Sequence, residues 1–207
     1  MIRDNFHIFS GGPGVGKTTT LLALRARGYI CVDEVARQIL REQAAIGGDA
    51  NHSGNRARYR DLTLERMLQD YHAVAETHGP VFFDRAIPEL SGYGNPPGEG
   101  DPPRVTRAIA QCRYNPCVFL FPPWEEIYCQ DDLRKQDFAE AVATFETIKA
   151  MYPRNGYRMV EVPRGTVEER VERLAAETRV ATHANRPSEF TSPEGRSKNR
   201  VAIFRVG

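Results

Sequence analysis

Lysine is scarce in this chain. Of its 28 basic side chains only Lys17, Lys135, Lys149 and Lys198 are lysines, and the rest are arginines. The formal net charge is +1, which excludes a field strong enough to recruit nucleic acid or a membrane surface. Cysteine is limited to Cys31, Cys112, Cys117 and Cys129, with no C-x-x-C pair and no histidine at ligand spacing from two of them. That excludes a zinc knuckle or a disulfide scaffold and predicts reduced thiols. No apolar run approaches the roughly 18 residues needed to cross a bilayer. The β-rich run that begins at Phe6 leaves no room for a signal peptide, so a cytoplasmic chain is expected. Internal repeats are also missing. What is present is 207 residues, 41% apolar and 27% charged, enough for one sizeable core.

Strand and helix signals alternate along that length, the pattern of a parallel α/β sheet. "FHIFS" (6–10) reads as a strand running into glycines, and a helix from about Lys17 to Arg27 follows, with Gly28 just past its end. "YICV" (29–32) is a second strand, after which Asp33 is placed to cap a helix carrying Val35, Ala36, Ile39 and Leu40. Leu64, Met67, Leu68, Tyr71, Val74 and Ala75 mark a helical face. "PVFFD" (80–84), "CVFLF" (117–121) and "YRMVEV" (157–162) complete five strands. Phe138, Ala141, Val142, Phe145, Ile148 and Tyr152 mark a further helix, and Thr166 with Glu169 forms a capping box for the last one. "SGYGNPPGEGDPP" (91–103) predicts a mobile loop. One domain over 1–182 is expected, then a polar tail, 183–207, with an edge strand at 201–206.

The densest chemical signal is "FSGGPGVGKTTT" (9–20), in which Gly11-x-x-x-x-Gly16-Lys17-Thr18 matches the phosphate-binding P-loop between a strand and a helix. Glycine removes the Cβ atoms that would keep backbone N–H groups from surrounding phosphate oxygens. The helix then directs the positive end of its dipole at the same anion. Gly11, Gly12, Pro13, Gly14, Val15, Gly16, Lys17, Thr18 and Thr19 are therefore expected to hold ATP. Lys17 would reach the β and γ phosphates, and the Thr18 hydroxyl would ligate Mg²⁺. No N-K-x-D guanine motif occurs, which leaves GTP unsupported.

Two strands end on acids, at Asp33–Glu34 and at Asp84. In P-loop kinases the metal-binding acid ends the strand beside the P-loop strand. Five strands at this spacing suit the order 2-3-1-4-5, so Asp84 is the expected Mg²⁺ acid. Glu34 would face the same crevice, as general base, as holder of an acceptor hydroxyl or as a first-turn dipole partner. Arg85 would brace the acceptor or neutralise a phosphate in transit. Arg37 lies on the face of Asp33 as a possible ion pair. Arg56, Arg58 and Arg60 are candidates to meet an acid group of the acceptor, or a solvated helix start. Trp124 is a candidate to stack on a base.

"FSGGPGVGKTT", "DEVARQILREQ", "FFDRAIPE", "CVFLFPPW" and "GYRMVEVPRGTVEERVE" resemble a bacterial family of stand-alone P-loop proteins of the AAA-domain type. Its members are described as ATPases or kinases and grouped with the ribosylnicotinamide kinase domain of the bacterial NAD-biosynthesis regulator. The resemblance spans about 5–180 and implies a P-loop NTPase three-layer sandwich with a kinase-like five-stranded parallel sheet and a lid after strand four. It places that lid at about 124–137, supplying Arg134 and Lys135 to the phosphates, and sets Arg164 and Gly165 near the base. Here the loop is "GGPGVGKT", whereas the ribosylnicotinamide kinase domain carries a Ser-rich one.

The leading expectation is an ATP- and Mg²⁺-dependent kinase for a nucleoside-, nucleotide- or vitamin-like acceptor. Lys17, Asp84, Arg85 and Arg134 would carry the transfer, and Glu34 or Asp84 would receive the proton. An ATPase that drives a conformational or partner signal is the alternative, and a binding module with little turnover is a third. No nucleic-acid or membrane partner is expected.

Overall fold

The computed structural model describes residues 2–96, 98–128 and 137–184. Five parallel strands, β1 (Phe6–Gly11), β2 (Ile30–Val32), β3 (Val81–Asp84), β4 (Cys117–Phe121) and β5 (Arg158–Glu161), form one sheet in the order β2-β3-β1-β4-β5. This is the expected order. Helices α1 (Lys17–Ala26), α2 (Val35–Ala45), α3 (Arg56–Ala73), α4 (Pro103–Gln111), α5 (Phe138–Arg154) and α6 (Val167–Ala184) cover both faces. All six residues of β1 are buried, as expected of a central strand sandwiched between helices.

Alternation along the strands sorts two cores. Phe6 and Ile8 point into a cluster with Val35, Ile39, Leu64, Tyr71 and Ile109, under α2 to α5. Phe9 points the other way, against Phe82, Phe119, Phe121 and Leu174, under α1 and α6. Fully burying one such side chain contributes roughly 1.5–3 kcal/mol, so the aromatic-rich β1 anchors both layers. The result is the three-layer sandwich.

Helix ends follow local chemistry. Gly28, at φ 87°, ends α1 in the left-handed region where a Cβ would be strained. Thr166 and Glu169 do form their reciprocal capping bonds at 2.8 and 3.2 Å. Asp137 and Glu140 form a second capping box that starts α5. The reading of Asp33 as a cap is corrected: Glu34 occupies the N-cap position of α2, without a side-chain capping bond. Asp33 instead turns outward to Arg25 at 2.8 Å, because α1 ends with that guanidinium beside β2. In the 91–103 segment Asp101 accepts hydrogen bonds from Ser91 Oγ (2.7 Å), the Gly92 N–H (2.6 Å) and Asn95 Nδ2 (2.9 Å). Arg60 ties the same segment to α3 through Asn95 Oδ1 at 2.7 Å. Of the lid expected at 124–137, Glu125–Ile127 form one 3₁₀ turn, while Arg134 and Lys135 lie outside the described residues. The 201–206 strand lies outside them too, and α6 runs through the 182 boundary to Ala184.

Candidate active site

The strand order sets Asp84 beside the P-loop strand, with Phe9 and Asp84 in register. Both strands end here, so the loop after β1 and the acid ending β3 open onto one crevice at the carboxyl edge of the sheet. The loop glycines are sterically required. A Cβ on Gly11, which has φ 135°, would strike the Phe121 carbonyl. One on Gly12 would come within 2.8 Å of the Ala141 carbonyl. Gly14 and Gly16 have φ 74° and 86°, which lets the backbone curl into a concave cradle before α1.

Lys17 is buried, and its Nζ donates to the carbonyls of Gly11 and Gly12 at 3.0 and 2.7 Å. Burial lowers its pKa to about 8; Arg85 lowers it further, and Asp84, Glu34 and Glu89 partly offset the shift. Thr18 Oγ1 lies 3.3 Å from Asp84 Oδ2. Asp84 Oδ1 is buried and has no hydrogen-bond partner among the described residues. Burial raises the Asp84 pKa, against the pull of Lys17. A hydroxyl and a buried carboxylate with an unsatisfied oxygen, at the foot of a phosphate cradle, fit a hard, oxygen-seeking cation such as Mg²⁺.

Next to Asp84 the chain takes an unusual turn: Arg85 is the one non-glycine residue with positive φ (71°) among the described residues. Its backbone is pinned by the bond from its N–H to the Phe9 carbonyl at 2.9 Å. Its guanidinium bridges two carboxylates, Glu34 Oε1 at 2.7 Å and Glu89 Oε2 at 2.6 Å. Glu34 Oε2 meets Arg37 Nε at 3.3 Å, and Glu89 Oε1 accepts from Ser10 Oγ (2.7 Å) and Tyr152 Oη (2.8 Å). Burial opposes the charge on Glu34, but Arg85, Lys17 and Arg37 outweigh it and hold the pKa at about 2. Glu34 is thus a firmly ionised anchor and a poor proton acceptor.

Lys17, Thr18, Glu34, Arg85 and Glu89 line a cleft of about 1510 Å³ that also takes in Arg37, Arg56, Tyr59 and Tyr93 at one end and Trp124, Gly165 and Arg170 at the other. Gly165 is part of the cleft lining. Arg164 is exposed and donates to the Pro123 carbonyl at 2.9 Å, bracing the segment after β4. Of the arginine run, Arg56 reaches the cleft, whereas Arg60 is buried against Asp61 and Asn95. Three participants escaped the sequence reading: Glu89, Tyr152 and Arg170. Glu89 had a weak signal, four residues after Arg85 within "DRAIPE". Arg170 is 4% exposed, donates to the Val15 carbonyl at 3.3 Å and stacks on Trp124 at 4.8 Å. It thereby links the far end of the cleft to the P-loop.

A family model described as an AAA domain matches residues 6–170, from the P-loop strand into the first turn of α6. The chain belongs to this AAA domain family. Shikimate kinase from Acinetobacter baumannii, solved in complex with shikimate, shares 12% identity with this chain over 86% of the chain and 93% of the kinase, with a TM-score of 0.53. Shikimate kinase from Aquifex aeolicus shares 16% identity over 87% and 97%, with a TM-score of 0.49. The first likeness establishes a kinase-like P-loop fold. Neither structure is a ribosylnicotinamide kinase. No protein of curated function matches the sequence. No helix among the described residues of this AAA domain is long and apolar enough to cross a membrane.

Proposed function

We propose that this AAA domain transfers the terminal phosphate of ATP to a hydroxyl of a small molecule. The observation that carries the reading is the size and continuity of the cleft. At about 1510 Å³ it exceeds the roughly 300–1,000 Å³ of a single-ligand pocket, and it runs from the P-loop past Arg85 to α2 and α3. A nucleotide fills the half between Lys17 and Gly165, and an acceptor fills the other.

In that arrangement Gly11 to Thr19 cradle the phosphates, with Lys17 swinging from the Gly11 and Gly12 carbonyls to the β and γ oxygens. Thr18 and Asp84 would hold Mg²⁺, which when bound offsets phosphate charge. Arg85, fixed by Glu34 and Glu89, sits between the halves and neutralises the phosphoryl oxygens as they cross. The acceptor oxygen bonds to the γ phosphorus as the bond to the ADP oxygen breaks. Glu34, whose pKa is held at about 2, is a poor acceptor of the hydroxyl proton, and Asp84 is committed to Mg²⁺, so an oxygen of the transferred phosphate takes the proton. Such a transfer asks the protein mainly for alignment and charge. Arg134 would add a further cation from the lid.

Hydrolysis without an acceptor is the competing chemistry. Among the described residues that line the cleft there is no glutamine to orient a water. ADP formation measured with ATP and Mg²⁺, alone and with a panel of nucleosides, nucleotides and vitamins, tests the proposal. A large acceptor-dependent rise, lost in Lys17→Ala, supports it; equal turnover without any acceptor sinks it.

A further inference from the structure

At the nucleotide end of the cleft one buried cation is incompletely used. Arg170, in the first turn of α6, lines the cleft at 4% exposure. Its one hydrogen bond among the described residues runs from Nη1 to the Val15 carbonyl at 3.3 Å. Nε is buried with no partner, and no carboxylate pairs with the guanidinium among those residues. Burial, with no acid to offset it, lowers the Arg170 pKa. A buried donor without an acceptor costs about 1–3 kcal/mol, and more when charged, so it persists where a ligand supplies the acceptor.

The position of Arg170 selects which part of a nucleotide that is. A P-loop turns its N–H groups toward the phosphates and its carbonyls to the outer side, and Arg170 is bonded to a carbonyl. Its Nη1 lies 2.7 Å from where a Cβ on Gly16 would stand, so the guanidinium packs directly against the loop, behind the cradle. Phosphate charge is met from the cleft by Lys17 and Arg85 instead. Around Arg170 the surroundings are aromatic: its guanidinium carbon is 4.8 Å from the Trp124 ring centroid and 5.8 Å from that of Phe121. Gly165 and Val167, from the turn into α6, add small and apolar surface to the cleft. The donors of a guanidinium lie in its plane, so a flat ring that meets them edge-on continues the layer packed on Trp124.

We propose that Arg170 reads the purine ring of the nucleotide, donating from Nε to N7 while the ring rests on Trp124 and Nη1 keeps the Val15 carbonyl. This rests on the kinase reading above and specifies its phosphate donor. N7 is an acceptor on adenine and guanine alike, and guanine adds O6 beside it. A guanidinium carries donors only, so it gives the adenine amino group no partner and does not turn guanine away. The chain has no N-K-x-D motif, yet this edge admits GTP as well as ATP. Pyrimidine nucleotides have no N7 and fit poorly.

The test is a calorimetric titration of the full chain, in Mg²⁺, with ADP against 7-deaza-ADP, in which a C–H replaces N7. ADP binds about fivefold tighter, the scale of one hydrogen bond. Arg170→Met removes the difference, while Arg173→Gln, exposed on the same helix and outside the cleft lining, keeps it. GDP displaces ADP from the same site. If Arg170 only supports the Val15 carbonyl, Arg170→Met weakens ADP and 7-deaza-ADP alike and leaves their ratio unchanged, which overturns the proposal. Equal binding of the two by the native chain, or GDP that fails to compete, overturns it whatever the variant does to folding. Equal binding leaves the kinase reading standing, whereas no binding of either nucleotide at millimolar concentration overturns the kinase reading as well.

Discussion

Arg85 Nε lies 2.7 Å from Glu34 Oε1, so the acid that follows the second strand is bound to the arginine that follows the third before any substrate arrives. Two groups far apart in the chain become one device. A cation lining the cleft beside the P-loop is held by a carboxylate that stays ionised. The strained backbone of Arg85, at φ 71°, persists because both its N–H and its guanidinium are fixed.

Glu34→Gln keeps the shape of this contact and removes its charge. Turnover should fall about 10–100-fold while the KM for ATP stays nearly constant, because Arg85 loses orientation and the P-loop is untouched. Urea unfolding should show a loss of about 2 kcal/mol, the scale for removing one partner of a buried charged hydrogen bond. Steady-state kinetics and a denaturation curve check both. A KM effect without a kcat effect would instead place Glu34 in uniform substrate binding.

Asp84→Asn separates function from stability in the opposite sense. Burial raises the folded pKa of Asp84 above its unfolded value, so its ionised form costs stability at neutral pH, and that cost is relieved as pH falls through the folded pKa. The neutral isostere should therefore be at least as stable as the native chain in the absence of ligand. Its Mg²⁺-dependent activity should drop by about 100-fold or more. Melting curves with and without Mg²⁺ and ATP read both effects.

His7 predicts an acid-side weakness. It lies in β1 between Phe82 and Phe119, 3% exposed, and burial lowers its pKa from 6.5 to about 4. Below pH 6.5 the unfolded chain binds a proton that the folded one refuses, so stability falls as pH drops from 6.5 toward 4. The loss is on the order of 3 kcal/mol. His7→Leu should flatten this part of the pH–stability profile. Glu34 works in a lower window: its depressed pKa gives stability that is complete above 4.5 and lost as pH falls toward 2.

Trp124, the single tryptophan, should report nucleotide directly. It borders the cleft and stacks on Arg170 at 4.8 Å. Its fluorescence should change on addition of ATP and Mg²⁺ and stay constant in Lys17→Ala. Arg170→Met should weaken ATP binding about tenfold, because the guanidinium that supports the Val15 carbonyl is gone. A titration of emission against ATP measures both.

Much of the fold was legible because its signals are local. The aromatic and β-branched runs of β1 and β3 end in glycine and acid, that of β4 runs into two prolines, and amphipathic stretches lie between them. The P-loop was legible for a stronger reason, since its glycines answer a steric demand that few other residues meet. The misread cap at Asp33 was also local, but its outcome depended on Arg25, which belongs to another element. The Glu89 network was hidden by distance: Ser10 and Glu89 are 79 residues apart, and Glu89 and Tyr152 are 63 apart. Val15 and Arg170 are separated by 155.

By itself the sequence determined which groups are present: a phosphate cradle at Gly11 to Thr19, two acids at strand ends, and a chain that alternates strand and helix. Only the tertiary structure decided their states. The 2-3-1-4-5 order brought Asp84 beside Phe9, so that Thr18 and Asp84 share a site. Folding of Arg85 between Glu34 and Glu89 turned a candidate base into an anchored anion. The physical reason is that residue type and spacing carry local sterics and periodicity, whereas charge state depends on burial and on neighbours that meet only when the sheet closes.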